Sequence, residues 1–296
     1  MVYLTQFTLP DREMQENRLS DCLAHGRTCY QDFYPFRVLG DWEQEQLFFD
    51  PITIFYGGNG SGKTTLLNVI GDKLKVERGS AYNRSAFFGD YVALCQCQTV
   101  SQGVPPESAM LTSDDVFDYL LDMRSLNQGI DIHREELLEE YKTLRREKFQ
   151  LKSMDDYATL KKSAYAKRKS GSGSGYVRRE VGGNLRGRSN GESAFRYFTD
   201  KIQAGRLYLL DEPENSLSAQ YQQELAQFLQ DSARFYQCQF ILSTHSPFLL
   251  AMKDAAIYDM DGIPIARKAW TQLEAVRRYH SFFQAHSQEF QNDGCT

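Results

Sequence analysis

Nine consecutive residues constrain this chain most: Gly57, Gly58, Asn59, Gly60, Ser61, Gly62, Lys63, Thr64 and Thr65. They follow the apolar run Ile52–Tyr56 and precede Leu66, Leu67, Val69 and Ile70, so the local order reads strand, glycine loop, helix. Glycines let such a loop close around an anion with its N–H groups turned inward, and the helix that follows adds its positive end. The spacing Gly57-x4-Gly62-Lys63-Thr64 matches the P-loop pattern in full. In that pattern the lysine meets the β- and γ-phosphates and the threonine hydroxyl meets Mg²⁺. All nine residues are therefore candidates for holding a nucleotide.

A second element completes the chemistry. Leu207, Tyr208, Leu209 and Leu210 run into Asp211 and Glu212, as in a central strand that delivers its carboxyl end to the ligand edge of a sheet. Asp211 is the candidate Mg²⁺ ligand beside Thr64. Glu212 is the candidate to polarise an attacking water, a task best served by a raised pKa. Binding alone would not require Glu212, so its presence favours hydrolysis. A third strand, from Phe240 to Leu242, ends in Ser243, Thr244 and His245. His245 is placed to sense a γ-phosphate, and with Glu212 and Lys63 it makes the candidate catalytic set.

Composition limits the alternatives. Among 296 residues, 41% are hydrophobic and 25% charged, enough apolar material for a sizeable core. No apolar run approaches the roughly 20 residues that span a bilayer, and residues 1–10 lack a signal-peptide layout. A membrane-inserted chain is thus excluded as an expectation. The net charge of −5 argues against a general nucleic-acid coat. Six scattered cysteines point to reduced thiols and a cytoplasmic setting. Cys95 and Cys97 have no second pair and no nearby histidine, so zinc is not expected.

The pattern along the chain predicts strands at 2–9, 34–38, 47–49 and 52–56, and treats 91–94 as a further strand. Helical spacing begins at 114, with Ser113 as a cap, and continues to 149 with a charged, solvated face. Residues 170–175 (Ser-Gly-Ser-Gly-Ser-Gly) read as a flexible linker or loop. Beyond 191, helices at 194–203 and 219–232 alternate with strands at 206–210, 239–243 and 256–258. A helix over 270–283 is expected to pack Trp270, Leu273, Val276, Tyr279, Phe282 and Phe283 on the sheet, and 291–296 to fray.

Taken together, Gly57 to Thr64, Leu207 to Glu212 and His245 resemble the Walker A, Walker B and switch histidine of the ABC-type ATPases. Ser189-Asn190-Gly191-Glu192-Ser193 stands where the family's signature lies. It departs from the transporter form Leu-Ser-Gly-Gly-Gln and looks like the soluble branch, which includes the DNA-repair and chromosome-maintenance ATPases and stand-alone bacterial ATPases of the AAA-21 or AAA-15 type. Asn215 to Ser218 fits the D-loop. The resemblance implies an α/β P-loop NTPase of ABC-ATPase type: a mixed central sheet with flanking helices, a β-rich N-terminal part and an inserted helical lobe. Its parts would be 1–112 with Walker A, 113–188 as the lobe, and 189–296 with the signature, Walker B and switch histidine.

The resemblance further implies ATP and Mg²⁺ as cofactors and a head-to-tail homodimer formed on ATP binding. Ser189, Asn190, Gly191 and Glu192 of one copy would then close over the ATP held by Lys63 of the other. The Q-loop ligand is open between Gln96 or Gln98 and Asp114 or a neighbour, with Gln96 as the metal candidate. Tyr34 and Phe36 are candidates to stack on adenine. Residues 161–188 carry nine Lys and Arg against Glu180 alone, a stretch suited to nucleic-acid phosphates. Two outputs follow as expectations. One is an ATPase acting on nucleic acid or an effector protein, in repair or antiviral defence. The other is an ATP-gated switch with slow resetting hydrolysis. A transporter subunit stands behind both.

Overall fold

The computed structural model describes residues 1–25, 27, 29–30, 32–36, 38–39, 46–146, 172–181, 190–262 and 264–292. In chain order the strands are β1 (Leu4–Thr8), β2 (Gln46–Phe48), β3 (Ile52–Tyr56), β4 (Glu77–Arg78) and β5 (Gln96–Thr99). They continue with β6 (Ala109–Thr112), β7 (Leu207–Asp211), β8 (Gln239–Ser243), β9 (Ala256–Asp259) and β10 (Ala266–Arg267). The helices are α1 (Arg12–Ala24), α2 (Lys63–Leu74), α3 (Phe88–Leu94), α4 (Ser113–Arg146) and α5 (Gly173–Glu180). After them come α6 (Asn190–Lys201), α7 (Ala219–Phe235), α8 (Pro247–Leu250), α9 (Glu274–Ala285) and α10 (Ser287–Asn292).

A seven-stranded sheet in the order β10-β9-β3-β8-β7-β6-β4 carries the architecture, parallel except where β10 runs against β9. Its central strands β3, β7 and β8 are buried on both faces, which is why they read as unbroken apolar runs rather than alternations. The register aligns Phe55 with Ser243, Ser243 with Asp211, and Asp211 with Thr112. Four strands thus end at one level, and their following loops share one edge. An antiparallel sheet in the order β2-β1-β5 lies beside the N-terminal part. The whole is the α/β fold with mixed central sheet and flanking helices that the motifs imply.

Two buried side chains join the sheets. The Gln239 amide accepts the N–H of Tyr3 (2.7 Å) and Leu4 (2.9 Å) and donates to the Leu4 carbonyl (2.9 Å). The Tyr258 hydroxyl accepts from Phe48 N–H and donates to Phe48 O, both at 2.9 Å.

The chain divides into two compact units, Met1–Val116 with Asn190–Thr296, and Phe117–Ser189. Within the second, Leu137, Tyr141 and Leu144 of α4 bury Tyr176 and Val177 of α5. This overturns the linker reading for 172–175. Ser172 caps α5 by accepting the Gly175 N–H, and a Cβ at Gly173 would lie 3.2 Å from Leu138, so glycine here permits close helix contact.

Other expectations are corrected. Residues 34–36 and 38 lie in a turn, with Val38 N–H donating to Pro35 O, and proline lacks the donor a strand needs. Residues 91–94 lie in α3, whose Phe88, Tyr91 and Val92 recur at helical spacing. Helix α1, capped by Asp11, was not foreseen in a β-rich opening. The cap of α4 is Thr112 rather than Ser113: its hydroxyl accepts the Asp115 N–H, while Asp115 accepts the Thr112 N–H. In the C-terminal segment Leu273 and Val276 are buried, but Tyr279, Phe282 and Phe283 are exposed. Residues 147–149 and 293–296 lie outside the described residues. No helix among the described residues is long and apolar enough to cross a membrane.

Candidate functional site

The parallel sheet brings the sequence-distant candidates to its carboxyl edge. Chain leaving β3 forms the glycine loop, where Gly60 and Gly62 have φ of 83° and 88°, a region closed to most side chains. A Cβ at Gly57 would fall 2.6 Å from Ser61 Oγ, so the loop closes tightly on itself there. Lys63 begins α2, is 5% exposed, and donates its ammonium to Gly57 O (2.8 Å) and Gly58 O (3.0 Å). Burial lowers its pKa, opposed chiefly by the charges of Glu212 and Asp261. Ser61 Oγ is buried without a partner in this cradle. An orphaned hydroxyl and a buried lysine at a helix N-terminus suit a phosphate chain.

Thr64 and Asp211 come together as expected from the motifs. The Thr64 hydroxyl donates to Asp211 Oδ1 at 3.1 Å, and Ser243 donates to the same oxygen at 2.5 Å. Burial raises the Asp211 pKa against those two hydrogen bonds, so an added cation would favour the ionised form. A hydroxyl and a carboxylate form the hard oxygen pair that Mg²⁺ takes when phosphate and water complete its shell.

Glu212 turns the chain out of β7 at φ 47°, a left-handed conformation rare for glutamate. It is held there by N–H bonds to Ser243 O (3.1 Å) and Ser243 Oγ (3.2 Å). Its Oε1 lies 3.5 Å from His245 Nε2, and its Oε2 accepts from the Asn215 amide at 3.0 Å. The expected raised pKa is corrected here. The imidazole, with burial opposing it and Asn215 assisting, holds the Glu212 carboxyl down to about 2. A carboxylate held this low is a fixed anionic acceptor, able to orient water, rather than a tuned base.

Gln96 is not brought to this edge. It is the first residue of β5 in the three-stranded sheet, opposite Thr8, and Gln98 pairs with Gln6. Opposite β8, the other strand whose carboxyl end neighbours Asp211 is β6, which delivers Thr112 and then Asp114 and Asp115. The apolar stretch 91–94, expected as a strand leading to Gln96 or Gln98, belongs to a helix, and both glutamines lie in a strand of the other sheet. Asn190, Gly191 and Glu192 occupy the first turn of α6, and a Cβ at Gly191 would lie 3.1 Å from the Tyr221 ring. Ser189 and most of the basic stretch lie outside the described residues. Phe36 is core, edge-on to Tyr91, whereas the Tyr34 hydroxyl donates to Thr65 Oγ1 at 3.2 Å.

Sequence reasoning missed Ser243, Glu214 and Asp261. Ser243 was visible as the last residue of an apolar strand. Asp261 follows β9, and its carboxylate accepts the Gly58 N–H at 2.6 Å; only its acidity two residues past a strand hinted at this.

A family model described as "AAA domain, putative AbiEii toxin, Type IV TA system" (AAA_21) matches residues 184–251, the segment holding Asp211, Glu212 and His245. Similar solved structures include the Smc head domain with an extended coiled coil bound to the C-terminal domain of ScpA, derived from Pyrococcus furiosus. It is 13% identical over 96% of this chain and 99% of that one, with a TM-score of 0.43. A nucleotide-free ATP-binding cassette from an ABC transporter is 13% identical over 95% and 96%, TM-score 0.40. The SMC head domain from Thermotoga maritima is 12% identical over 90% and 99%, TM-score 0.37. No curated protein matches the chain in sequence.

Proposed function

We propose that this chain is a P-loop ATPase domain of the ABC-ATPase superfamily, which binds MgATP at the carboxyl edge of its parallel sheet and hydrolyses it there. The observation that carries this reading is the meeting of Thr64, Asp211, Glu212 and His245 along one edge, across residues far apart in sequence. Bound MgATP would supply the phosphoryl group to be transferred and the cation that neutralises it. The loop from Gly57 to Thr65 would cradle the phosphates with its amides, and Lys63 would turn its ammonium from the Gly57 and Gly58 carbonyls to them. Thr64 and Asp211 would hold the cation. Glu212 would orient water, and His245 would answer to the terminal phosphate.

Completion by a second copy is part of the proposal. The first turn of α6, with Asn190, Gly191 and Glu192, presents a helix N-terminus suited to a γ-phosphate. Ser189 would join it, and closure of a head-to-tail dimer would be the output passed to nucleic acid or to an effector protein.

The test is the ATPase rate with and without double- and single-stranded DNA, beside Glu212→Gln. Turnover that falls at least about 10-fold in the variant, some 1.4 kcal/mol in the barrier, supports hydrolysis at this edge. Stimulation by DNA would identify the partner as nucleic acid, and indifference would point to protein. Unchanged turnover in Glu212→Gln would sink the assignment.

A further inference from the structure

Glu214 follows Glu212 by two residues and meets the main chain of His245 where Glu212 meets its ring. It is 9% exposed, and its Oε1 accepts the main-chain N–H of His245 at 2.6 Å and of Ser246 at 3.2 Å. Its Oε2 is buried with no partner. Burying a carboxylate with one oxygen unsatisfied costs several kcal/mol, and an apolar side chain would pack here without that cost. The contacts that it does make converge on the peptide carrying the histidine. The far side of this loop has its own anchor, because Ser246 caps α8 through Phe248 and Leu249 N–H and donates to Gln222 Oε1 at 2.8 Å.

We propose that Glu214 is a positioning residue for ATP hydrolysis: by gripping the main chain of His245 it sets where the imidazole meets Glu212. The two glutamates divide one task, Glu212 facing the ring and Glu214 the backbone of the same residue. Pro213 between them, with its fixed φ, limits their exchange of roles. This inference rests on the ATPase reading given above.

Three variants of the full chain test it. Glu214→Asp keeps the charge but draws the carboxylate back by one methylene. Displacement on this scale is expected to lower kcat about 10²-fold, while the ATP Kd, set by the glycine loop, stays within about 3-fold. Glu214→Gln keeps an acceptor oxygen at the original reach and is expected to retain kcat within about 5-fold of the native chain. Glu214→Ala should behave like the aspartate variant. The ¹⁵N-labelled protein adds a readout independent of turnover: the His245 amide proton should resonate far downfield and move upfield in Glu214→Asp, with the Walker A amides unmoved. Native kcat in Glu214→Asp, a His245 amide that does not shift, or loss of ATP affinity in step with kcat would each overturn the proposal. Absence of turnover in the native chain would defeat the ATPase reading instead, and the amide resonance would still decide the Glu214 contact.

Discussion

The Thr64 hydroxyl donates to Asp211 Oδ1 at 3.1 Å across a sequence separation of 147 residues. This contact joins the start of α2 to the end of β7 and brings together the two oxygens proposed to hold the cation. Thr64→Ala and Asp211→Asn should each weaken ATP binding in Mg²⁺ but not in EDTA. Because the two share one partner, the double variant should fall short of the summed losses by about 0.5–3 kcal/mol. Titration calorimetry of the four-member cycle checks this, and strict additivity would contradict a shared cation site.

Asp261 places a carboxylate on the Gly58 N–H at 2.6 Å, and its charge acts on Lys63. Asparagine would keep the acceptor and remove the charge that incoming phosphates must approach. Asp261→Asn should therefore tighten ATP binding, on the order of 3-fold at low ionic strength and less at high salt. Fluorescence titration at two salt concentrations reads the effect. Weaker binding would mean that the carboxylate supports the loop instead of opposing the ligand.

Gln239 is fully buried and satisfies Tyr3 and Leu4 N–H from the other sheet. Gln239→Leu would strand both donors, each costing about 1–3 kcal/mol. The urea midpoint should fall accordingly. A midpoint like that of the native chain would show that β1 rearranges to re-pair its amides.

Asp90 receives Arg18 at 2.7 Å and Arg27 at 2.5 Å. Burial alone would raise its pKa, but hydrogen bonds from Arg18 and Arg27 outweigh this and leave it lowered. A carboxylate depressed by folding stabilises above its unfolded pKa and loses that contribution as pH falls through the folded value. Asp90→Asn should destabilise by about 1 kcal/mol at neutral pH, given the exposure of both arginines. The gap from the native chain should close in acid, as urea melts at pH 7 and below pH 3 would reveal.

Much of the site was legible because its residues are bound to local signals. A glycine loop ending in Lys63-Thr64 announces itself by backbone geometry, and β7 and β8 do so as apolar runs that end in polar groups. The same logic failed over 91–98. Tyr91, Val92 and Leu94 satisfy strand and helix periods alike in so short a window, so the sequence left Gln96 or Gln98 open beside Asp114, just past the end of β6, for this place at the sheet edge. It failed again over 172–175, where Ser-Gly composition suggested no order, yet Tyr176 and Val177 supply the burial that holds α5 against α4.

By itself the sequence determined the glycine loop ending in Lys63 and Thr64, the acidic strand end, the terminal histidine and the α/β alternation, since each depends on side-chain type within a few neighbours. Only the tertiary structure decided which strand ends beside Asp211, that Glu212 is depressed by His245, and that Glu214 and Asp261 reach back to the His245 and Gly58 amides. Those outcomes depend on strand order and on burial, which sum over residues from both ends of the chain.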